Sequence, residues 1–275
     1  MRRIALLTDF GTRDPYVAAV KGVLAARCEA PIVDLTHEIA PFDVFGAAWF
    51  LRAILDYWPA ETVFVCVVDP GVGTARRIIA VENEGRVFLA PDNGLLHFVE
   101  GEAYCVSPRA QSRGLPAHDG ARARGGDPST ALGTTPIFLP NGSNTFHGRD
   151  RFAPVAAALA NGLAIETLGP RIDDRVQLAY EPPSYGDVVR GTIVSIDRFG
   201  NAITDVEVSR CRPAASALRV RGHVITRFET SYGDAGEGVF LIAGSTGCVE
   251  ISEANGSAAA RLQLSTLDRL ELWPK

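Results

Sequence analysis

The N-terminal part of the chain alternates short apolar runs with longer segments of helical periodicity, and this alternation constrains the fold more than any other feature. The apolar runs at 4–7, 31–35 and 62–68 have the length and composition of strands. The segments at 16–26 and 41–57 repeat apolar residues at helical spacing. Strands that alternate with helices build a mostly parallel sheet with helical crossovers. The sequence therefore predicts an α/β domain.

The C-terminal part has a different pattern, in which short β-type runs are separated by closely spaced turns. Pro182 and Pro183 mark a linker before this part, so we predict an α/β domain at 1–180 and a smaller all-β domain at 185–275. Within the first domain, segment 109–143 is rich in Gly, Pro and Arg and is predicted to be an inserted long loop. The β-type runs lie at 188–197, 217–220, 239–243, 248–251 and 260–264.

A loop between two apolar runs carries an acidic and a basic residue. Asp69 directly follows the run at 62–68, and Arg76 lies seven positions later. Pro70 and two glycines between them exclude a regular helix or strand and favour a tight loop. Ligands of open α/β sheets bind at the carboxyl ends of the strands, which is where Asp69 is predicted to lie. The alternative is a Pro-Gly turn with a surface ion pair.

Further acidic residues follow the other N-terminal strands. Asp9 and Asp14 come after the first run, and Asp34 belongs to the second. A carboxylate at the sheet edge can bind the hydroxyls of a ribose, although it can equally cap a helix N-terminus. No glycine-rich phosphate-binding motif is present. The predicted acidic rim favours a cationic ligand over a phosphate.

Two polar turns elsewhere have candidate ligand-binding residues. His147 lies in a turn before a helical segment, where it is either a surface histidine or a third polar group that holds a water molecule with Asp69 and Arg76. Asp and His together can also bind a metal, but no metal-ligand spacing supports that. Phe199 and Asn201 could stack on a base and hydrogen-bond its edge, or simply form a hairpin turn.

The composition excludes several classes of function. The net charge of −5, without a run of basic residues, argues against a nucleic-acid binder. No apolar segment reaches the roughly 18 residues that span a bilayer, and the first apolar run is too short for a signal peptide. The five cysteines include no CxxC pair, which predicts free thiols in a reducing cytoplasm.

Five motifs in a fixed order extend over nearly the whole chain, apart from the predicted insertion. They are Thr8-Asp9-Phe10-Gly11, Asp69-Pro70-Gly71-Val72-Gly73-Thr74 with Arg76, Pro91-Asp92-Asn93-Gly94-Leu95, Phe146-His147-Gly148-Arg149-Asp150 and Phe199-Gly200-Asn201. Together they resemble the S-adenosyl-L-methionine hydroxide adenosyltransferases, or SAM hydrolases, which are related to the fluorinase and chlorinase. The resemblance implies a C-terminal β-barrel domain and a homotrimer with the ligand between neighbouring subunits.

The resemblance also implies a reaction and roles for particular residues. Water would cleave S-adenosyl-L-methionine (SAM) to adenosine and L-methionine, without a metal or other cofactor. Asp69, Arg76 and His147 match the residues that activate this water. The implied substrate-binding residues are Asp9 for the ribose, Phe42, Phe199 and Tyr232 around the adenosine, Asn201 and Asn255 for the base, and Asp14, Asp197 and Ser245 near the methionine end.

One position decides between the chemistries of these related enzymes. The halide-using relatives have Tyr where Asp69 stands, and the fluorinase has Thr where Val72 stands. Because a carboxylate repels a halide and accepts a proton from water, Asp69 favours hydrolysis. Two alternatives stay open, namely a protein that binds adenosine or SAM without turnover, and a metal-dependent nucleotide hydrolase that uses Asp9, Asp69 and His147.

Overall fold

The computed structural model describes residues 2–107, 111–112, 135–212 and 216–274. The chain divides into two compact units, Met1–Leu178 and Ala179–Lys275. Most of the predicted insertion at 109–143 lies outside the described residues. Among the helices that are described, none is both long and apolar enough to cross a membrane.

The described helices and strands follow the predicted alternation in the first unit and the predicted run of strands in the second. The helices are α1 (Tyr16–Ala25), α2 (Val44–Ile54), α3 (Ala153–Ala160) and α4 (Ala258–Leu262), with 3-10 turns at Leu55–Tyr57, Ile165–Leu168 and Val208–Arg210 and a π-helical turn at Gly148–Phe152. The strands are β1 (Arg3–Thr8), β2 (Ile32–Thr36), β3 (Thr62–Val67), β4 (Ile78–Asn83), β5 (Arg86–Pro91), β6 (Glu102–Cys105), β7 (Gln111–Ser112), β8 (Thr135–Pro136), β9 (Arg171–Ile172), β10 (Val189–Ile196), β11 (Ala202–Glu207), β12 (Ser216–Val220), β13 (His223–Ile225), β14 (Phe228–Glu229), β15 (Val239–Ala243), β16 (Cys248–Glu253) and β17 (Arg269–Pro274).

The sheet of the first unit has the strand order β2-β1-β3-β5-β4-β6-β9. Strands β2, β1, β3 and β5 run parallel to one another, with α1 and α2 as crossovers between the first three strands in sequence. At the other edge, β4, β6 and β9 are antiparallel. The direction changes because β4 and β5 form a hairpin, whose two turn residues Glu84 and Gly85 both have positive φ. The predicted α/β fold is confirmed.

Both faces of the central strands of this sheet are covered. Along β1, Ile4 and Leu6 point into one core with α1 and α3, while Ala5 and Leu7 point into a second core with α2. This alternation follows from the two-residue period of a strand. With both faces buried, the polar edge beyond the carboxyl ends of the strands is left for a site.

The second unit contains a curled, half-barrel sheet in the order β13-β12-β17-β10-β11-β16-β15-β14. Its described strand pairs are antiparallel apart from β14 with β15, which confirms the predicted all-β character. The β-type reading of 260–264 was wrong, because this segment belongs mostly to helix α4. The Ser257 side chain accepts a hydrogen bond from the Ala260 amide, and Gln263 ends the helix in the left-handed conformation.

Candidate active site

The loop at 69–76 connects β3 to β4 at the polar edge of the first sheet. It is folded by backbone hydrogen bonds from the Val72 amide to the Asp69 carbonyl at 3.2 Å and from the Thr74 amide to the Gly71 carbonyl at 3.1 Å. Gly73 has a φ of 82°, and a Cβ there would lie 2.7 Å from the backbone oxygen of Asn144. A glycine is therefore required for both its conformation and its close approach to the segment before His147.

Asp69 and Arg76 form a buried ion pair across this loop. Nε of Arg76 donates to Oδ1 and Oδ2 of Asp69 at 2.9 and 3.0 Å, and Nη2 also donates to Oδ2. Only 6% of the Asp69 side chain and 9% of the Arg76 side chain are exposed. The alternative of a surface ion pair was therefore wrong, and the loop presents a carboxylate whose orientation is fixed by two guanidinium nitrogens.

His147 completes a chain of three side chains. Its Nδ1 lies 2.8 Å from Nη2 of Arg76, and the residue is 1% exposed, so the surface-histidine alternative was also wrong. Because a guanidinium can only donate, Nδ1 is the acceptor and the proton of the neutral ring is on Nε2. Burial, together with the charges of Arg151 and Arg76, lowers the pKa of His147 from 6.5 to about 4. The ring is therefore neutral near pH 7.

The local structure around His147 also brings aromatic rings close together. Gly148 opens the π-helical turn, and a Cβ there would lie 3.1 Å from the Phe10 ring and 3.2 Å from the Phe146 ring. Phe10, Tyr16 and Phe146 contact one another, with ring centroids 5.1 to 5.9 Å apart. Neither Phe10 nor Tyr16 was predicted as a site residue.

Asp69 and His147 face a cavity of about 320 Å³ in the first unit. Arg76 lies behind them, and its guanidinium carbon is 5.6 Å from the centre of the buried Phe152 ring. The predicted residues Asp9 and Phe42 also line this cavity, whereas Asp14 is exposed and lies outside its lining. Oδ2 of Asp9 accepts a hydrogen bond from the Phe42 amide at 2.9 Å, which holds Phe42 at a φ of 67° with 69% of its surface exposed.

The predicted C-terminal residues line a second cavity, of about 670 Å³, within the second unit. Its lining includes Asp197, Phe199, Asn201, Tyr232, Ser245 and Asn255. The Asp197 carboxylate organises one wall, because it accepts hydrogen bonds at 2.9 Å from the amides of Phe199 and Asn201 and from the Asn201 side chain. Gly200, at a φ of 85°, leaves no space for a Cβ beside Ser257. The hairpin-turn alternative is therefore correct for the backbone of this segment. The Phe199 side chain is 77% exposed and lines the cavity.

The arrangement of donors does not fit the metal-site alternative. Both oxygens of Asp69 and Nδ1 of His147 bind the Arg76 guanidinium, which places a fixed positive charge where a metal ion would need free donor atoms. Among the described residues, no group of three or more His, Cys, Asp or Glu side chains could hold a metal.

Comparison with known proteins decides the family. A model of the SAM hydroxide adenosyltransferase N-terminal domain matches residues 4–169. A model of the SAM hydroxide adenosyltransferase C-terminal domain matches residues 191–271.

This chain belongs to the SAM hydroxide adenosyltransferase family.

Individual members of the family and related enzymes agree with this assignment, which the motifs predicted. The (R)-S-adenosyl-L-methionine hydrolase of Thermus thermophilus is 40% identical over 96% of this chain and 96% of its own length. The crystal structure of an uncharacterized conserved protein from Thermotoga maritima has a TM-score of 0.83 at 30% identity, covering 98% of this chain and 99% of that one. A fluorinase from Actinoplanes sp. is 28% identical over 74% of this chain and 71% of its own length.

In this member of the family, Glu250 is a cavity residue that the sequence analysis missed. It lines the second cavity and is 9% exposed, and its carboxyl occupies the space where a side chain on Gly244 would lie. Burial, followed by the charge of Asp197, raises the pKa of Glu250. The one signal in the sequence is that Glu250 interrupts the apolar run of β16.

Proposed function

We propose that this chain hydrolyses SAM to adenosine and L-methionine by attack of a water molecule on C5′ of the ribose. The observation that carries the proposal is the chain of hydrogen bonds from Asp69 through Arg76 to His147 beside a cavity. Support for the substrate comes from the SAM hydrolases that are similar along almost the whole chain.

The hydrogen bonds suggest different roles for the two residues that face the cavity. His147 is neutral and carries its proton on Nε2, and this atom has no hydrogen-bond partner among the described residues. In this tautomer the ring has no free acceptor nitrogen, so we propose that His147 is a donor to the bound water molecule and not the base. Asp69 is the acceptor at the cavity wall, so we assign it the proton of the attacking water. Arg76 fixes both groups and stabilises hydroxide character through its charge.

The cavity suits a reaction in which charge is neutralised. A hydroxide-like nucleophile attacks a sulfonium cation, and the leaving group is a neutral thioether. Water stabilises separated ions more than such a transition state, so aromatic walls that exclude water once the substrate is bound favour the reaction. The leaving thioether needs neither a proton nor a Lewis acid, and for this reason we propose that no metal or other cofactor takes part.

Asp69 also favours water over a halide as the nucleophile. Its carboxylate lines the cavity, where it would repel an incoming anion but can accept a hydrogen bond from water. This residue therefore supports hydrolysis, as in the relatives named SAM hydrolases, over the halogenation that is named for the more distant fluorinases.

We propose that the residues of the two cavities bind the rest of the substrate. Asp9 holds the ribose, the exposed aromatic rings enclose the adenosine, and the polar groups near Asp197 meet the methionine end. The proposed set is Asp9, Asp14, Phe42, Asp197, Phe199, Asn201, Tyr232, Ser245 and Asn255. Asp14 has the least structural support, because it is exposed and lies outside both cavity linings.

We also propose a homotrimer in which neighbouring chains share each substrate molecule, within the cytoplasm. The large aromatic side chains of Phe42 and Phe199 are 69% and 77% exposed. Exposure of such apolar surface to water is unfavourable, and contact with a ligand and a neighbouring chain would remove it. All five cysteines are free thiols, as is usual for a reducing compartment. Light scattering of the purified protein measures the oligomer directly.

The decisive experiment is incubation of the purified protein with SAM in oxygen-18 water. We expect adenosine and methionine as products, with the label in the 5′-hydroxyl of adenosine. An unlabelled 5′-hydroxyl would contradict direct attack by water. The two sulfonium epimers are supplied separately, and we expect the (R) epimer to be consumed, as the names of the relatives state for those proteins.

A further inference from the structure

The motif Pro91-Asp92-Asn93-Gly94-Leu95 has no role in the proposed chemistry, and neither Asp92 nor Asn93 lines the described cavities. The motif begins at Pro91, the last residue of β5, and β5 pairs with β3 on one side and β4 on the other. These two neighbours are the strands that the 69–76 loop connects. The motif is therefore placed between the two ends of the loop.

Asn93 binds the backbone at the start of the 69–76 loop. Its Nδ2 donates to the backbone oxygen of Val68 at 2.9 Å, and Val68 is the residue immediately before Asp69. Its Oδ1 accepts from the Leu95 amide at 3.2 Å, so the carboxamide is held at both of its ends. The orientation of the peptide bond that leads into Asp69 is thereby fixed.

Asp92 binds Arg77, at the other end of the 69–76 loop. Its Oδ2 accepts from Nε of Arg77 at 2.7 Å and lies 2.6 Å from Nη2, and Arg77 is the residue immediately after Arg76. The backbone amide of Asp92 also donates to the Arg77 carbonyl at 3.0 Å. Oδ1 of Asp92 accepts from the Val176 amide at 2.8 Å, and only 3% of the Asp92 side chain is exposed. Asp92 is thus itself held in place.

We propose that Asp92 and Asn93 are positioning residues for the hydrolysis, which hold the residues on either side of the 69–76 loop so that Asp69 and Arg76 meet in one geometry. This inference rests on the proposed function. Its physical reason is that a carboxylate and a guanidinium at the two ends of an eight-residue loop need both ends anchored to keep a bidentate contact. Since neither residue belongs to the cavity lining, they act through Asp69 and Arg76 and not on the substrate.

The test is Asn93→Asp, which keeps the acceptor for Leu95 but replaces the donor to Val68 with a carboxylate oxygen. We expect kcat to fall about 10- to 100-fold, because small displacements of a reacting group have effects of this size. The KM for SAM is expected to stay close to that of the unaltered protein. The matched control is Asn161→Asp, since Nδ2 of Asn161 donates to the Arg27 carbonyl at the same 2.9 Å, at the end of α3. The kcat of the Asn161→Asp variant should equal that of the unaltered protein.

A second variant and a second measurement make the outcome decisive. Asp92→Asn keeps an acceptor for the Val176 amide but loses one of the two carboxylates that bind Arg77, the other being Asp174, and it should also lower kcat. In both variants, nitrogen-15 NMR of His147 should report an altered Nδ1 shift, because Arg76 no longer donates to it in the same geometry. This shift does not depend on turnover, so it decides the positioning role even if the protein does not hydrolyse SAM. Unchanged kcat and an unchanged Nδ1 shift in folded variants would overturn the proposal.

Discussion

Nη2 of Arg76 lies 2.8 Å from Nδ1 of His147, and this contact determines what the histidine can do. The guanidinium provides the proton of that hydrogen bond, so the ring nitrogen that faces it has no proton of its own. The ring can then donate only from Nε2. Under the proposed function, the histidine is then a donor and the carboxylate of Asp69 accepts the proton of water.

Replacement of Asp69 by Asn should separate chemistry from binding. The substitution removes the acceptor for the water proton and introduces an amide whose donors face those of Arg76. We expect turnover of SAM to fall at least about 100-fold, in the range usual for loss of a general base, with little change in adenosine affinity. Calorimetry with adenosine and a product assay with SAM measure the two effects. Full activity in this variant would refute the role of Asp69.

Arg76→Lys should also lose most of its activity, although it keeps the positive charge. An ammonium cannot bind two carboxylate oxygens and a histidine nitrogen in one plane as the guanidinium does. We expect kcat to fall about 100-fold, as for removal of other preorganised charge-stabilising groups. The matched control is Arg190→Lys, which alters an exposed arginine paired with Glu271 in the second unit. Equal losses in both variants would indicate a general effect of replacing arginine.

The pH dependence of His147 has a definite sign. Its pKa is lowered to about 4 in the folded protein from an ordinary 6.5, so between these values the unfolded chain binds more protons. This residue therefore makes the free energy of unfolding decrease as the pH falls from 6.5 to 4, and has no such effect above that window. An NMR titration should show a neutral ring down to about pH 5, and the single proton of this neutral ring should be on Nε2.

The control for the effect of His147 on stability is the variant His147→Gln. This variant should have a smaller loss of stability than the unaltered protein between pH 6.5 and 4, because carboxylate contributions are common to both and cancel in the difference. A ring that titrates near pH 6.5 would contradict the assignment of a buried neutral histidine.

Phe42→Gly should have opposite effects on stability and binding. Phe42 has a φ of 67°, a conformation that is unfavourable for a residue with a side chain by about 1–2 kcal/mol but open to glycine. The greater freedom of glycine in the unfolded chain offsets about 0.5–1 kcal/mol of this gain. We therefore expect the free energy of unfolding to be unchanged or raised by about 1 kcal/mol, and adenosine affinity to fall. Loss of stability with unchanged affinity would show that Phe42 has a structural role instead.

Removal of metal ions should leave the activity intact. The positive charge at the proposed site comes from Arg76, and the leaving thioether is neutral. We expect the same kcat before and after treatment with a chelator followed by gel filtration. If activity disappears and returns with a divalent cation, the metal-dependent alternative is correct.

Several features of the fold could be predicted from the sequence because they depend on local periodicity. The first three strands and the two crossover helices follow from apolar spacing, and the structure places them close to the predicted positions. The antiparallel edge was not predicted: the hairpin of β4 and β5 is local, but the pairing of β6 with β9 joins segments that are far apart in the chain. Segment 260–264 was misread because alternating apolar residues in a short run fit a strand and a helix equally well.

For the site, the order of motifs gave the family and the residue types, because each motif is continuous in the chain. Only the tertiary structure could show that Asp69 and Arg76 are buried, that His147 accepts from Arg76, and that Asp92 and Asn93 hold the two ends of the loop between them. Most of these depend on atoms brought together from separate segments: Arg76 and His147, for example, are 71 positions apart in the chain. Sequence determines which chemical groups are available, whereas burial and hydrogen-bond direction decide which of them carries the proton.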